Sequence, residues 1–306
     1  MSIVDTTMPI TSAKSVAAVE QLKEMYPGLQ VKTIATTAFG RPVQALEIGS
    51  GGRRVLFSAS HHANEWITSL VLLKFLEDLV AAAKIGGQIL GKDAQRLLEN
   101  ATVSVVPMVD PDGVDLVTGA IFPGSREYDM AQAIARGFPQ IPFPQGWKAN
   151  LKGVDLNLQY PARWLRAREI KFLQGFDRPA PRDYVGLYPL SQPESRGLAA
   201  YTEGFDPDIV VAFHTQGKEI YWEFEEYFVP GARELGEKFA RVSGYTLAQV
   251  PENSSYAGYK DWFIKVFRRP GYTIEAGLGV NPLPISQFAE IYRDNLPILL
   301  AAMEEM

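Results

Sequence analysis

The chain contains no cysteine among its 306 residues. That absence excludes disulfides, thiol nucleophiles, cysteine-bound zinc and iron–sulfur clusters, so any metal must be held by His, Asp or Glu. Histidine is scarce as well, with three in the whole chain. No 18-residue apolar stretch occurs, and the opening MSIVDTTMPITSAKSVAAVEQL lacks a positive region leading into an apolar one. Neither a membrane span nor a leader is therefore expected, and the default location is cytoplasmic. Long runs of like charge are missing too, and the net charge is −5. Nucleic acid and anionic membranes are accordingly not expected as partners.

What is present describes an ordinary folded protein. Hydrophobic residues make up 46% and charged residues 21%, enough to bury a sizeable core. With no internal repeat and no low-complexity linker, one domain over residues 1–306 is expected. Helical spacing from Ser12 to Met25, capped by Ser12 or Ser15, predicts an opening helix. The β-rich runs Val31–Thr37 and Val43–Ile48 flank the turn-like Phe39-Gly40-Arg41-Pro42 and read as a hairpin.

Four further apolar runs read as buried strands that end in polar residues. Arg54–Ser58 leads into SHHANE, Thr102–Val109 into the turn signal Asp110-Pro111-Asp112-Gly113, Asp208–Phe213 into His214, and Tyr272–Ile274 into Glu275. Residues 65–83 are apolar nearly all round, as in a covered helix. Strands that carry polar residues at their carboxyl ends fit an open α/β sheet, which binds ligands there. Residues 119–182 show little periodicity and read as ordered loops. Ile285–Met306 reads as a closing helix interrupted near Pro297.

His61 and His62 are adjacent, so on an extended strand end only one can face a given site. His62 and Glu65 form H-x-x-E, which one turn of backbone can bring to one metal. The same pair also suits the donors of a helix start. His214 supplies a third ligand at the end of its own strand run, and two histidines with a glutamate are a known catalytic zinc set. Glu275 is the natural base for a water attacking an amide, though a pairing with Arg268 or Arg269 would equally explain it. Asp155 in GVDLN reads either as the partner of a ligand histidine's free nitrogen or as an ordinary turn residue.

Five motifs occur in order: HANEW (His62–Trp66), DPDG (Asp110–Gly113), GVDLN (Gly153–Asn157), FHTQG (Phe213–Gly217) and TIEAGLG (Thr273–Gly279). On these the chain resembles the zinc carboxypeptidases of the carboxypeptidase A type. The resemblance implies an eight-stranded mixed sheet flanked by helices and one Zn2+ per chain. It implies His62, Glu65 and His214 as ligands, Glu275 as general base and later proton donor, and Asp155 as the partner of His62.

The departures bear on substrate. The family's D-x-N-R reads Asp155-Leu156-Asn157-Leu158 here, so Asn157 remains as a substrate contact while the carboxylate-gripping arginine is replaced by Leu158. Lys148 stands where relatives with a short spacer have the arginine that stabilises the oxyanion; its alternative is a solvated surface lysine. The stretches KANLKGVDLNLQYPARW, PRDYVGLYPLSQPE, AFHTQGKEIYWEF and AGYKDWFIKVFRRPGYTIEAGLG are similar to the bacterial γ-D-glutamyl-L-diamino-acid endopeptidases. That branch implies a peptide partner, a muropeptide cut between D-glutamate and diaminopimelate. Lys260, at the position that in the family lies on the floor of the pocket beyond the cut bond, suits a side chain ending in carboxylate. Tyr256 resembles the family's mobile substrate-contacting tyrosine; its alternative is a tyrosine packed in a loop. Alternatives are a carboxypeptidase or murein-peptide amidase of other specificity, a zinc-free peptide-binding protein, and a small-molecule deacylase.

Overall fold

In the computed structural model, residues 2–251 and 254–304 are described. Eight strands form the main sheet, in the order β1 (Gln30–Thr36), β2 (Pro42–Ile48), β6 (Ala101–Val106), β3 (Arg53–Ala59), β7 (Ile209–His214), β10 (Gly271–Glu275), β8 (Glu219–Tyr221) and β9 (Thr246–Ala248). Strands β4 (Gln88–Ile89) and β5 (Lys92–Asp93) pair separately. The central β6, β3, β7 and β10 are parallel, with β2 and β8 antiparallel at their flanks. The expected mixed α/β sheet of eight strands is what the chain adopts.

The parallel centre follows from strands that are apolar on both faces. Along β3, Val55 and Phe57 enter one apolar layer and Leu56 the other; along β7, Val211 and Phe213 oppose Val210 and Ala212 in the same way. Helices α1 (Ser12–Met25), α2 (Ile67–Lys84), α3 (Ala94–Asn100), α8 (Ala232–Ser243) and α10 (Phe288–Met303) cover the first layer. Helices α7 (Pro193–Phe205) and α9 (Tyr259–Phe267) cover the second. Each large apolar side chain so buried contributes roughly 1.5–3 kcal/mol, which fixes the carboxyl ends of the central strands. From β3 the chain crosses to β6 on one side, while β7 lies on the other. A crevice opens at that reversal of strand order.

Several expectations need correction. The α1 cap is Thr11, whose hydroxyl accepts from the Lys14 N–H; Ser12 instead binds Asp115 through its amide and hydroxyl. The Asp110–Gly113 turn signal opens a helix, α4 (Pro111–Thr118), with Asp110 as its cap and Pro111 in its first turn. The aperiodic stretch of residues 119–182 holds two helices, α5 (Arg126–Ala135) and α6 (Trp164–Leu173). Few residues of either are buried, so neither needs a strong apolar stripe. Helix α10 continues through Pro297, and its final half is buried against the sheet layer, where packing outweighs the lost hydrogen bond. Residues 305 and 306 of the expected closing helix lie outside the described residues.

Candidate metal centre and active site

The site forms where β3, β7 and β10 end. Beyond β3 the chain turns at Ser60, which has a positive φ of 49°, His62 itself is extended, and Ala63–Glu65 then make a single 3-10 turn before α2. That turn carries Glu65 round to face His62: His62 Nδ1 lies 2.9 Å from Glu65 Oε1. As expected, only one of the adjacent histidines faces Glu65, although the bend at Ser60 rather than an extended strand end separates them. His61 points the other way, its Nε2 3.3 Å from the Tyr160 hydroxyl, and burial pushes its pKa well down, keeping it neutral.

His214 arrives on β7, with its Nδ1 2.9 Å from Glu65 Oε2 and 3.2 Å from His62 Nδ1. Ligand atoms of His62, Glu65 and His214 all fall within 4.8 Å of one another. Tetrahedral zinc with bonds near 2.0–2.1 Å spaces its ligand atoms about 3.3 Å apart, so the donor set and its spacing fit zinc. Against burial, Glu65 and Asp155 hold His62 protonated, its pKa pushed up to about 9. His62, Lys148 and His214 together override burial and keep Glu65 ionised. A site that attracts positive charge this strongly suits a dication.

The two histidines are oriented differently. Asp155 Oδ1 sits 3.2 Å from His62 Nε2, a contact that would keep a proton on Nε2 when a metal takes Nδ1 in place of its proton. Asp155 is also a turn residue, accepting from the Asn157 and Asp183 N–H groups, so its contacts are compatible with either reading of it. His214 Nε2 is buried without a partner among the described residues, and its ring is held by stacking on His61, with centroids 5.5 Å apart.

A cavity of about 760 Å³ adjoins these residues, with His62, Asp155, Lys148 and Glu275 in its wall. Glu275 ends β10 in register with His214. Neither neighbouring arginine takes it: Arg268 lies over the Tyr227 ring at 3.9 Å and Arg269 binds Asp206. Burial, and then Glu65, push the Glu275 pKa up to about 8, while Lys148 and His62 pull it back. Lys148 is no solvated lysine; its Nζ is 3.1 Å from Glu65 Oε1, and its side chain is 17% exposed.

Asn157 lines the cavity and accepts from the Tyr259 N–H. Lys260 lines it as well, buried and paired with Asp261 at 2.6 Å, with its Nζ also donating to the Glu223 carbonyl. Tyr256 stands apart: it has a positive φ of 79° and packs edge-on to Phe224. Sequence reasoning passed over the second cationic group on the wall, Lys171, Arg182 and Asp183. Its only sequence signal was the charged pair inside PRDYVG; its nearness to Asp155 comes from tertiary structure.

The zinc carboxypeptidase family model matches residues 15–297. A γ-D-glutamyl-L-diamino acid endopeptidase 1 from Lysinibacillus sphaericus is 44% identical over 285 residues, 93% of this chain and 70% of that protein. The structure of thrombin-activatable fibrinolysis inhibitor matches with a TM-score of 0.76 at 16% identity, over 99% of this chain and 76% of that one. Murein-tripeptide amidase from Escherichia coli O157 matches with a TM-score of 0.56 at 19% identity, over 89% of this chain and 91% of that one. These last two likenesses show the fold alone.

Proposed function

The chain belongs to the zinc carboxypeptidase family, a family of metallopeptidases, and from that premise we propose that it cleaves the γ-D-glutamyl–diaminopimelate amide of cell-wall-derived peptides. The observation that carries the proposal is the convergence of His62, Glu65 and His214 at the edge of a cavity lined by His62 and Glu275, whose wall has Leu158 where a carboxypeptidase has its carboxylate-gripping arginine. The 44% identical endopeptidase supports the bond assignment.

In this proposal His62, Glu65 and His214 hold one zinc ion, which when bound supplies Lewis acidity to the scissile carbonyl and to water. Glu275 takes the proton of the attacking water as the C–O bond forms, and gives it to the leaving nitrogen as the C–N bond breaks. Its buried setting raises its basicity towards neutral pH. Lys148 places an ammonium charge where the carbonyl oxygen turns anionic. Asp155 keeps the Nε2 proton on His62. Asn157 and Lys260 belong to the substrate wall, and Lys260 faces the carboxylate-ended side chain of diaminopimelate. Tyr256 reaches the substrate only if its packing on Phe224 opens. The whole chain acts as one catalytic domain on soluble peptides in the cytoplasm, which cell fractionation checks.

Mass analysis of L-Ala-γ-D-Glu-diaminopimelate incubated with zinc-loaded protein tests the reading. Release of free diaminopimelate, abolished by a chelator and restored by zinc, is expected. An intact tripeptide alongside trimmed carboxyl-terminal residues of other peptides would contradict it.

A further inference from the structure

Leu158 leaves the cavity without a guanidinium at the family's position, yet a guanidinium stands in the wall nearby. Arg182 and Asp183 lie on the loop between α6 and α7, and the loop is tied directly to the site. The Lys148 and Ala149 N–H groups both donate to the Pro181 carbonyl. The Asp183 N–H donates to Asp155 Oδ2, while Asp155 Oδ1 holds His62. Arg182 is therefore placed relative to the candidate metal ligands by two short backbone links. It is close enough for its charge to act on Lys148, Asp155 and Glu65.

The four cationic side chains in this wall are engaged very differently. Lys148 faces Glu65 at 3.1 Å, Lys171 faces Asp183 Oδ1 at 2.7 Å, and Lys260 faces Asp261 at 2.6 Å. Arg182 uses only Nε, 2.6 Å from Asp183 Oδ2, and its side chain is 43% exposed. Its two terminal nitrogens donate to no protein group among the described residues. Asp183 is itself clamped by the buried Lys171, so it braces the guanidinium plane. The braced guanidinium thus lines the cavity with its terminal N–H groups unspent on protein among the described residues, a fork matched to a carboxylate.

The geometry points to Arg182 as the residue that grips a substrate carboxylate in this cavity, taking over from a different loop the task that Leu158 cannot perform. Lys171 and Asp183 are its positioning residues. The assignment rests on the peptidase reading above and deepens it: the favoured substrate carries a free carboxylate close to the cut amide, as both D-glutamate and diaminopimelate do.

The test is calorimetric binding to zinc-loaded Glu275→Gln protein, in which the peptide stays uncut. The ligands are L-Ala-γ-D-Glu-diaminopimelate and three analogues, each with one of its three side-branch or terminal carboxylates amidated. Adding Arg182→Ala is expected to weaken binding of the parent tripeptide by about 10- to 100-fold, the range for a charge-assisted bidentate contact. One analogue alone should be indifferent to the substitution, because the group that Arg182 grips is already missing. Arg182→Lys should recover part of the loss, since it restores charge without the fork. Equal losses for all four ligands, or no loss for the parent, would overturn the assignment while leaving the peptidase reading intact. No binding of the tripeptide when Arg182 is present would overturn both.

Discussion

The two walls of the cavity are built in contrasting ways. On one side, His62 and Glu275 line the cavity and, with His214 beside His62, stand at or just beyond the ends of β3, β7 and β10; Glu65 follows one turn later. On the other, Lys148, Asp155 and Arg182 stand on loops in the long connection between β6 and β7, Asn157 sits in a short 3-10 turn of the same connection, and Lys260 opens α9. At the strand ends His214 and Glu65 are 1% exposed, whereas on the loop side exposure runs from 4% for Asp155 to 43% for the Arg182 side chain. Strand ends deliver groups with the precision of a packed sheet, which proton transfer and metal binding need. Loops can change without disturbing that core, which is why the proposed substrate contacts Asn157 and Arg182 fall on that side.

Substitutions can break this division of labour. The largest effect is expected on the strand-end wall: Glu275→Gln should lower kcat by about 10²- to 10⁴-fold with full zinc content, read by steady-state kinetics and elemental analysis. Parental turnover would remove Glu275 from its role. Lys148→Met, on the loop wall but facing Glu65, should lower kcat by about 10²- to 10³-fold with little change in KM. A change confined to KM would make Lys148 a binding group only.

Asp155→Asn acts through His62 rather than on the substrate. It should weaken zinc affinity by about 10- to 100-fold, measured by competition with a chromophoric chelator. Unchanged affinity would show that packing alone orients His62.

The smallest expected effect on catalysis comes from Glu194, buried at the start of α7. Burial pushes its carboxyl up to about 7, from an ordinary value of 4.5. A raised acid contributes stability that is complete below about pH 4.5 and is lost as pH rises through about 7. Glu194→Gln should therefore leave thermal stability almost unaltered at pH 4.5 and increase it at pH 8, by about 3 kcal/mol, with kcat near parental. A gain of equal size at both pH values would contradict a buried, titrating carboxyl.

The same contrast explains what could be read from the sequence. His62, Glu65, His214 and Glu275 were legible because each ends or follows a short apolar run, so periodicity marked both the strand and its end. The sheet was legible for the same reason. Asp110–Gly113 misled because a capping aspartate followed by proline signals a turn and a helix start alike. Helices α5 and α6 were missed because they lie over the surface and bury little. Arg182 stayed invisible because its meaning depends on a hydrogen bond between Asp183 and Asp155, which local sequence cannot encode. Lys148 and Lys260 could be placed only through the family resemblance, and their ion pairs with Glu65 and Asp261 emerged from the fold.

Every role assigned above presupposes one ion between three side chains. Anomalous diffraction at the zinc edge, from crystals of zinc-loaded protein, tests this most directly. The account predicts one strong peak per chain within bonding distance of His62 Nδ1, His214 Nδ1 and the Glu65 carboxylate. A peak elsewhere, or none at that position, would contradict it.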